Sequence, residues 1–434
     1  MNFLPIATNI ADYLRDSLGL TNGIAMVLAA IIHGSLLVAI FMGTPVFWIW
    51  GERKIAGRIQ DRMGPTRVGG RFGWLQSIAD GIKLIQKEDL VPPAADSMLF
   101  RMAPYMVCVA SFATFMVLPF GDTWVAVASD IGLYVLVAIL SLEVIGIILA
   151  GYSSGSKWSL FGGMREAAQM VSYEIPLAIC AIIPVTVAGS LNLVEIAQLQ
   201  SGGFQNWLIF NDPFTLVAFF VYFTVATASC KRAPFDLAEA ESELVGGFHT
   251  EYSGMRWSFF FMGEYAAMFV VCAVASILFL GGWNSGIPPL DATLNQMRGL
   301  SADGSFEPMA YLANAIGMGI LISKAWVLVF VQVWVRWTLP RLRIDQVMIT
   351  CLKYLIPISC ALFLGVIAWP LLVYKMTGGA QTSFASPKAE NWVKPAVSTP
   401  DEDAETSQFI LPNSTPDDRM AVADDDRKVA GGTR

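Results

Sequence analysis

The chain has 434 residues and a mean hydropathy of +0.55, with only 15% of its residues charged, against roughly 25% in ordinary soluble domains. That composition excludes a soluble globular enzyme. Apolar runs of about 18 or more residues, long enough to cross a hydrocarbon core, indicate a polytopic membrane protein. The formal charge of −7 comes largely from the end: residues 376–434 hold ten acids against six Lys or Arg, and no basic surface suited to nucleic acid is present.

In chain order, Ile6, Ile10, Leu14 and Leu18 recur at helical spacing and predict an interfacial helix over 3–18, within an N-terminal segment 1–23. Eight spans follow, over 24–50, 101–120, 131–151, 165–187, 213–230, 257–281, 309–335 and 351–375, forming a membrane domain over 24–375. Backbone exposed to lipid must satisfy its own hydrogen bonds, so these spans are expected to be helices and the fold class all-α. Residues 73–88 place Trp74, Ile78, Ile82 and Ile85 on one stripe of a segment too polar to span, which predicts an amphipathic helix in the interface. The tail over 376–434 is rich in Ser, Thr, Pro, Ala and Asp and is expected to be disordered.

Lys and Arg alternate between successive loops: eight in 51–100, two in 152–165, three in 231–256 and four in 336–353. By contrast, 121–130 and 188–212 have none, and 282–308 has only Arg298. The positive-inside rule then puts the charged loops in the cytoplasm and both termini outside. The six cysteines (Cys108, Cys180, Cys230, Cys272, Cys351 and Cys360) lie in or beside apolar segments, form no C-x-x-C pair, and are expected to be buried structural thiols. No clustered metal ligands, G-x-G-x-x-G or Walker A sequence points to a metal or nucleotide bound by this chain.

Four charged residues fall deep inside spans. Glu143 and Glu174 lie roughly 12–14 Å from the cytoplasmic ends of adjacent helices, Glu264 about 10 Å in, and Lys324 about 18 Å in. A charge at such depth costs at least about 2.5–3.5 kcal/mol, so it is expected to face a cavity or a partner. The three carboxylates suit a hydrated proton relay; the alternative is a static Lys324–Glu pair. His33 is expected to bond a backbone carbonyl. The loop 231–256 crowds Asp236, Glu239, Glu241 and Glu243 among Phe235, Leu237, Leu244, Val245 and Phe248, and so many apolar neighbours predict partial burial.

Two long motifs carry a family resemblance. E-R-K-x-x-G-x-x-Q-x-R-x-G-P at 52–65 and P-F-D-L-A-E-A-E-S-E-L-V at 234–245 resemble the signatures of the quinone-binding membrane-subunit family (the H-subunit family) of respiratory complex I, the NADH–quinone oxidoreductase. The stretches S-x-S-K-W at 154–158, G-G-M-R-E-A-A-Q-M-V-S-Y-E at 162–174, E-Y-S-G at 251–254 and M-G-E-Y at 262–265 are similar as well. The resemblance implies a bacterial inner-membrane subunit that forms a quinone chamber and helps couple quinone reduction to proton pumping. It binds neither metal nor nucleotide, and its partners are two soluble peripheral-arm subunits and adjacent membrane-arm subunits. It further implies a quinone channel lined or supported by Glu52, Arg53, Asp80, Arg165, Asp236 and Arg336, and a proton path including Glu174, Glu239, Glu241 and Glu264, to which depth adds Glu143 and Lys324. Ser229 stands where many members carry a glutamate, and Glu143 is a candidate replacement. Two alternatives are a homologous subunit of a membrane-bound hydrogenase or ferredoxin-linked complex, and a free-standing transporter with Glu143, Glu174 and Lys324 as its ion site.

Overall fold

A computed structural model describes residues 2–3, 11, 13–15, 19, 21–122, 124–237, 241–299 and 308–377. The helices in chain order are α1 (Asn22–Ile59), α2 (Gln76–Gln86), α3 (Ser97–Val117), α4 (Gly132–Ser153), α5 (Lys157–Ala188), α6 (Leu193–Leu199), α7 (Pro213–Ser229) and the single turn α8 (Glu241–Leu244). They continue with α9 (Gly254–Phe279), α10 (Pro288–Gly299), α11 (Pro308–Thr338) and α12 (Ile344–Ile349), which runs through a π-helical turn, Thr350–Leu355, into α13 (Ile356–Thr377). Each of the eight expected spans is helical. Among the described residues, seven helical stretches are long and apolar enough to cross a membrane, and α7 is a shorter apolar helix of 17 residues.

Two of the boundaries that move bear on function. The apolar run of α1 ends near residue 50, but the helix continues to Ile59, carrying Glu52 and Arg53 on a rigid shaft. Helix α5 starts at Lys157 rather than 165, so Arg165 and Glu166 sit inside it. Hydropathy marks where a helix stays greasy, whereas backbone bonding decides where it stops.

Helix α9 is the centre of the bundle. Every residue from Gly263 to Phe279 is buried, as expected of a helix that is hydrophobic all round. Small residues let its neighbours approach: a Cβ on Gly263 would lie 2.8 Å from a Val107 methyl of α3, and one on Gly146 of α4 only 2.6 Å from the other methyl. Helix α1 lies at the periphery, with Ile24, Val27, Ile31 and Ile32 exposed.

The N-terminal helix expected over 3–18 falls largely outside the described residues; Ala11 and Tyr13–Arg15 are helical, but Asn2–Phe3 instead pair antiparallel with Val127–Ala128. The amphipathic segment is α2, and Trp74, Ile78, Ile82 and Ile85 are exposed in or beside it. His33 Nδ1 lies 2.9 Å from the Ala29 carbonyl, the expected backbone partner. The thiols are free; Cys180, Cys230, Cys272 and Cys351 are buried, but Cys108 is only half-buried and Cys360 is exposed, a correction to the expected burial that follows from the outward position of Cys360 on α13. The tail expected over 376–434 lies outside the described residues apart from the last turn of α13.

The loop after α7 is folded inward. Phe235, Leu237, Leu244 and Phe248 are buried, while Val245 points out at 63% exposure. A second, smaller core sits under this loop, where Tyr252 stacks on Phe100 at 4.0 Å and donates its hydroxyl to the Phe100 carbonyl at 3.1 Å.

Candidate functional site

A cavity of about 590 Å³ lies between α1, the turn 57–65, α2 and the start of α9. Its wall is largely apolar, with Met42, Pro45, Ile49, Trp257, Phe261 and Trp337, and its charges are Glu52, Arg53, Arg62 and Asp80. Glu52 and Arg53 reach it because α1 continues past the apolar run. Asp80 reaches it from the polar side of α2, opposite the exposed isoleucines.

The two neighbouring charges on α1, Glu52 and Arg53, do not pair with each other. Successive helix residues point about 100° apart and do not face one another. Arg53 instead pairs with Asp80, which also accepts from Gln76 Nε2 at 3.3 Å and lies 3.7 Å from Lys83.

Glu52 turns inward, only 5% exposed, and is held from three elements. Arg232 Nη1 lies 2.8 Å from it, Tyr265 donates its hydroxyl at 2.5 Å, and Arg336 of α11 pairs with its other oxygen. Arg232 also places Nε 2.8 Å from Glu264 and its guanidinium over the Tyr265 ring at 4.3 Å. Two carboxylates and two guanidinium groups therefore form one charge-balanced cluster at the inner end of the cavity. An always-charged, planar group suits a place where charges are bridged in fixed geometry.

The next residue back along the chain serves a second cluster. Lys231 Nζ lies 2.9 Å from Glu143 of α4 and 3.6 Å from Glu166 of α5. Burial alone would lower the Lys231 ammonium, but Glu143 and Glu166 more than reverse this and hold it above the usual lysine range.

The remaining expected site residues lie apart from the cavity. Arg165 bonds Glu243 at 2.5 Å, and Asp236 bonds Arg341 at 2.8 Å; neither lines the cavity, because their helix and loop positions direct them to these partners. Glu174 is half-buried on α5 with no hydrogen bond or ion pair among the described residues, so it is not joined to Glu143. Lys324 pairs with no glutamate; it donates to the carbonyls of Leu280, Gly282 and Asn284 at 2.6, 3.1 and 2.6 Å and sits 4.4 Å from the Trp207 ring centre. These carbonyls lie at the C-terminal end of α9 and in the turn just beyond it, where a cation is a good partner. Glu239 lies outside the described residues, and Glu241 opens α8.

Sequence reasoning missed Arg232, Tyr265, Lys231 and Glu166. The first three stand in or beside the motifs K-R-A-P-F-D and M-G-E-Y, so the motifs themselves were the available signal. Glu166 lies in the G-G-M-R-E stretch and so had the same signal, but it stands where the apolar span was expected to begin and was passed over as a span edge.

The profile of the family described as NADH dehydrogenase matches residues 32–367. The chain belongs to the NADH dehydrogenase family. It is homologous to the H subunit of NADH-quinone oxidoreductase over most of its length. It is 44% identical to that protein of Chlorobium luteolum over 340 residues, covering 78% of this chain and 88% of the relative. The Anaeromyxobacter dehalogenans relative is 40% identical over 358 residues, covering 82% and 84%. The Geobacillus kaustophilus relative is 43% identical over 326 residues, covering 75% and 89%. The matched region contains the cavity and both charge clusters; most of the acidic tail lies beyond it.

Proposed function

We propose that this chain serves as the H subunit of a proton-translocating NADH–quinone oxidoreductase, supplying the quinone chamber and part of the acidic path that links quinone reduction to proton movement. The observation that carries the reading is the cavity between α1, α2 and α9. Its volume of about 590 Å³ is in the usual range for small-molecule sites. An apolar wall suits an isoprenoid tail, and the charges of Arg53, Asp80 and Glu52 suit a polar headgroup passing inward.

On this reading Glu52, Arg53 and Asp80 line the channel directly, and Arg336 fixes Glu52 from behind. Arg165 and Asp236 support the loops around it through Glu243 and Arg341. The proton path takes in Glu143 and Glu264, with Glu174, Glu239, Glu241 and Lys324 as further members. Lys231, two residues past Ser229, bonds Glu143; this supports Glu143 as the replacement for an acid at Ser229. Electrons come from a neighbouring soluble subunit, and the charged loops 51–100 and 231–256 are the cytoplasmic docking surface for the two peripheral-arm subunits. Adjacent membrane-arm subunits cover part of the apolar exterior, in a bacterial inner membrane with both termini outward.

The free-standing transporter has lost its ion site, since Glu143, Glu174 and Lys324 have separate surroundings. A quinone carrying a photoreactive group on its tail tests the reading in the assembled complex. Cross-links to peptides of α1, α2 or residues 255–265, competed by excess unlabelled quinone, are expected. Labelling confined to other subunits would overturn the chamber assignment.

A further inference from the structure

The two clusters that meet at Lys231 and Arg232 differ in their charge balance. Around Arg232, two carboxylates (Glu52 and Glu264) face two guanidinium groups (Arg232 and Arg336). Around Lys231, two carboxylates (Glu143 and Glu166) face one ammonium. Both acids are buried, and Glu166 is wholly so, at 0% exposure. Neither Glu166 oxygen receives a hydrogen bond, and its nearest cation is 3.6 Å away.

Among the described residues, no other group repairs the imbalance. Asp236, from the same loop, is matched by Arg341. Glu264 of α9, whose charge acts on Lys231 from farther off, is matched by Arg232. His249, in the turn packed against α5, is pushed down to about 4 by burial and the Lys231 charge, and is neutral near pH 7. Cys230, at the end of α7, is a buried free thiol. Two carboxylates sharing one dry site with a single cation leave one negative charge unmatched, and an unmatched buried charge is resolved by taking up a proton.

We propose that Glu143, Lys231 and Glu166 bind one exchangeable proton, shared between the two carboxylates and directed by the Lys231 ammonium. With Nζ nearer Glu143, the ionised acid is Glu143 and the proton resides on Glu166. A protonated Glu166 becomes a donor, and Gln169, one turn along the same helix, has a buried side-chain oxygen with no donor of its own. A small swing of Nζ toward Glu166 inverts the preference: the proton leaves a Glu166 oxygen and a Glu143 oxygen takes one up. Lys231 keeps its three protons, and no electron moves.

The link to the cavity is the backbone itself. Arg232 grips Glu52 and Glu264 at the cavity's inner end, and its immediate neighbour Lys231 grips the proton site. A charge change in the cavity that pulls Arg232 also displaces Lys231. This link rests on the proposed chamber, whereas the one-proton count does not.

Infrared difference spectroscopy of the assembled complex separates the two. Titrating the resting complex in H2O and D2O is expected to show a deuterium-sensitive protonated-carboxyl band that is lost in both Glu166→Gln and Glu143→Gln, because one proton belongs to the pair. Glu166→Asp and Glu143→Asp, which keep the acid, are expected to shift that band, and they serve if either glutamine variant fails to assemble. Persistence of the band in the glutamine variants, an unshifted band in the aspartate variants, or loss of two separate bands by the two glutamine variants would overturn the proposal. Reduction of a short-chain quinone analogue by NADH is then expected to change the same band in the native complex. An unresponsive band despite turnover would overturn the exchange, whereas failure of the analogue to compete for labelling of α1 and α2 would strike the chamber reading alone.

Discussion

Glu52 is the residue on which most of the buried charge converges, and removing it exposes how the site is balanced. Glu52→Ala leaves Arg232 and Arg336 facing a single acid. Breaking a buried pair this way costs about 3–5 kcal/mol, so the assembled complex is expected to inactivate at lower temperature and to lose quinone turnover. A thermal inactivation curve that overlays the native one would contradict this. Arg53 behaves differently because its side chain is 45% exposed and pairs with Asp80 at the surface of the cavity. Such a pair contributes about 0–1 kcal/mol. Arg53→Ala is therefore expected to leave assembly and electron entry to artificial acceptors intact while lowering quinone reduction by about tenfold or more, if it positions the headgroup. Normal quinone turnover in that variant would remove Arg53 from the channel. His249 gives a pH dependence. Its folded-state value of about 4 lies below the ordinary 6.5, so the unfolded chain binds the proton first as pH falls. The stabilisation is complete above about 6.5 and declines between 6.5 and 4. His249→Gln is expected to flatten the fall in inactivation temperature across that window, and an unchanged slope would count against a buried neutral imidazole.

At the scale of helices, the bundle depends on close approach as much as on apolar surface. Val107 of α3 fits between Gly146 of α4 and Gly263 of α9, each of which has too little space for an added methyl group. Gly263→Ala is expected to destabilise by about 1–3 kcal/mol through overpacking, and Val107→Ala in the same chain should recover part of it. Failure of the second substitution to rescue would mean that α3 and α9 are not held apart at this point. The acidic loop follows related logic. Its aromatic and aliphatic side chains are buried, and Lys231 and Arg232 are drawn inward with them. The apolar residues interspersed among the acids predicted that burial. They could not predict that adjacent cations would serve different clusters.

For the molecule as a whole, the family match ends at residue 367, whereas the chain continues to 434. The composition of the added segment offers no core. Truncation after residue 379 is expected to leave assembly and quinone reductase activity within about 20% of native, as exposed termini generally tolerate change. Native gels and turnover measurements would reveal a docking role if assembly failed.

Sequence by itself determined the membrane class, the eight helices, the amphipathic α2 and the family, because apolar run length, helical period and contiguous motifs are local properties of a chain. Through the family resemblance it also pointed to Glu52, Arg53 and Asp80, three of the four charged residues that line the cavity. Tertiary structure decided which charges meet. Arg232 reaches Glu52 across 180 positions and Arg336 across 284, whereas the adjacent Glu52 and Arg53 part company. Depth along a helix could not distinguish Glu143, which finds Lys231, from Glu174, which finds no partner among the described residues. Depth fixes one coordinate of a side chain, but the facing of each helix and the path of the loop between α7 and α9 fix the other two.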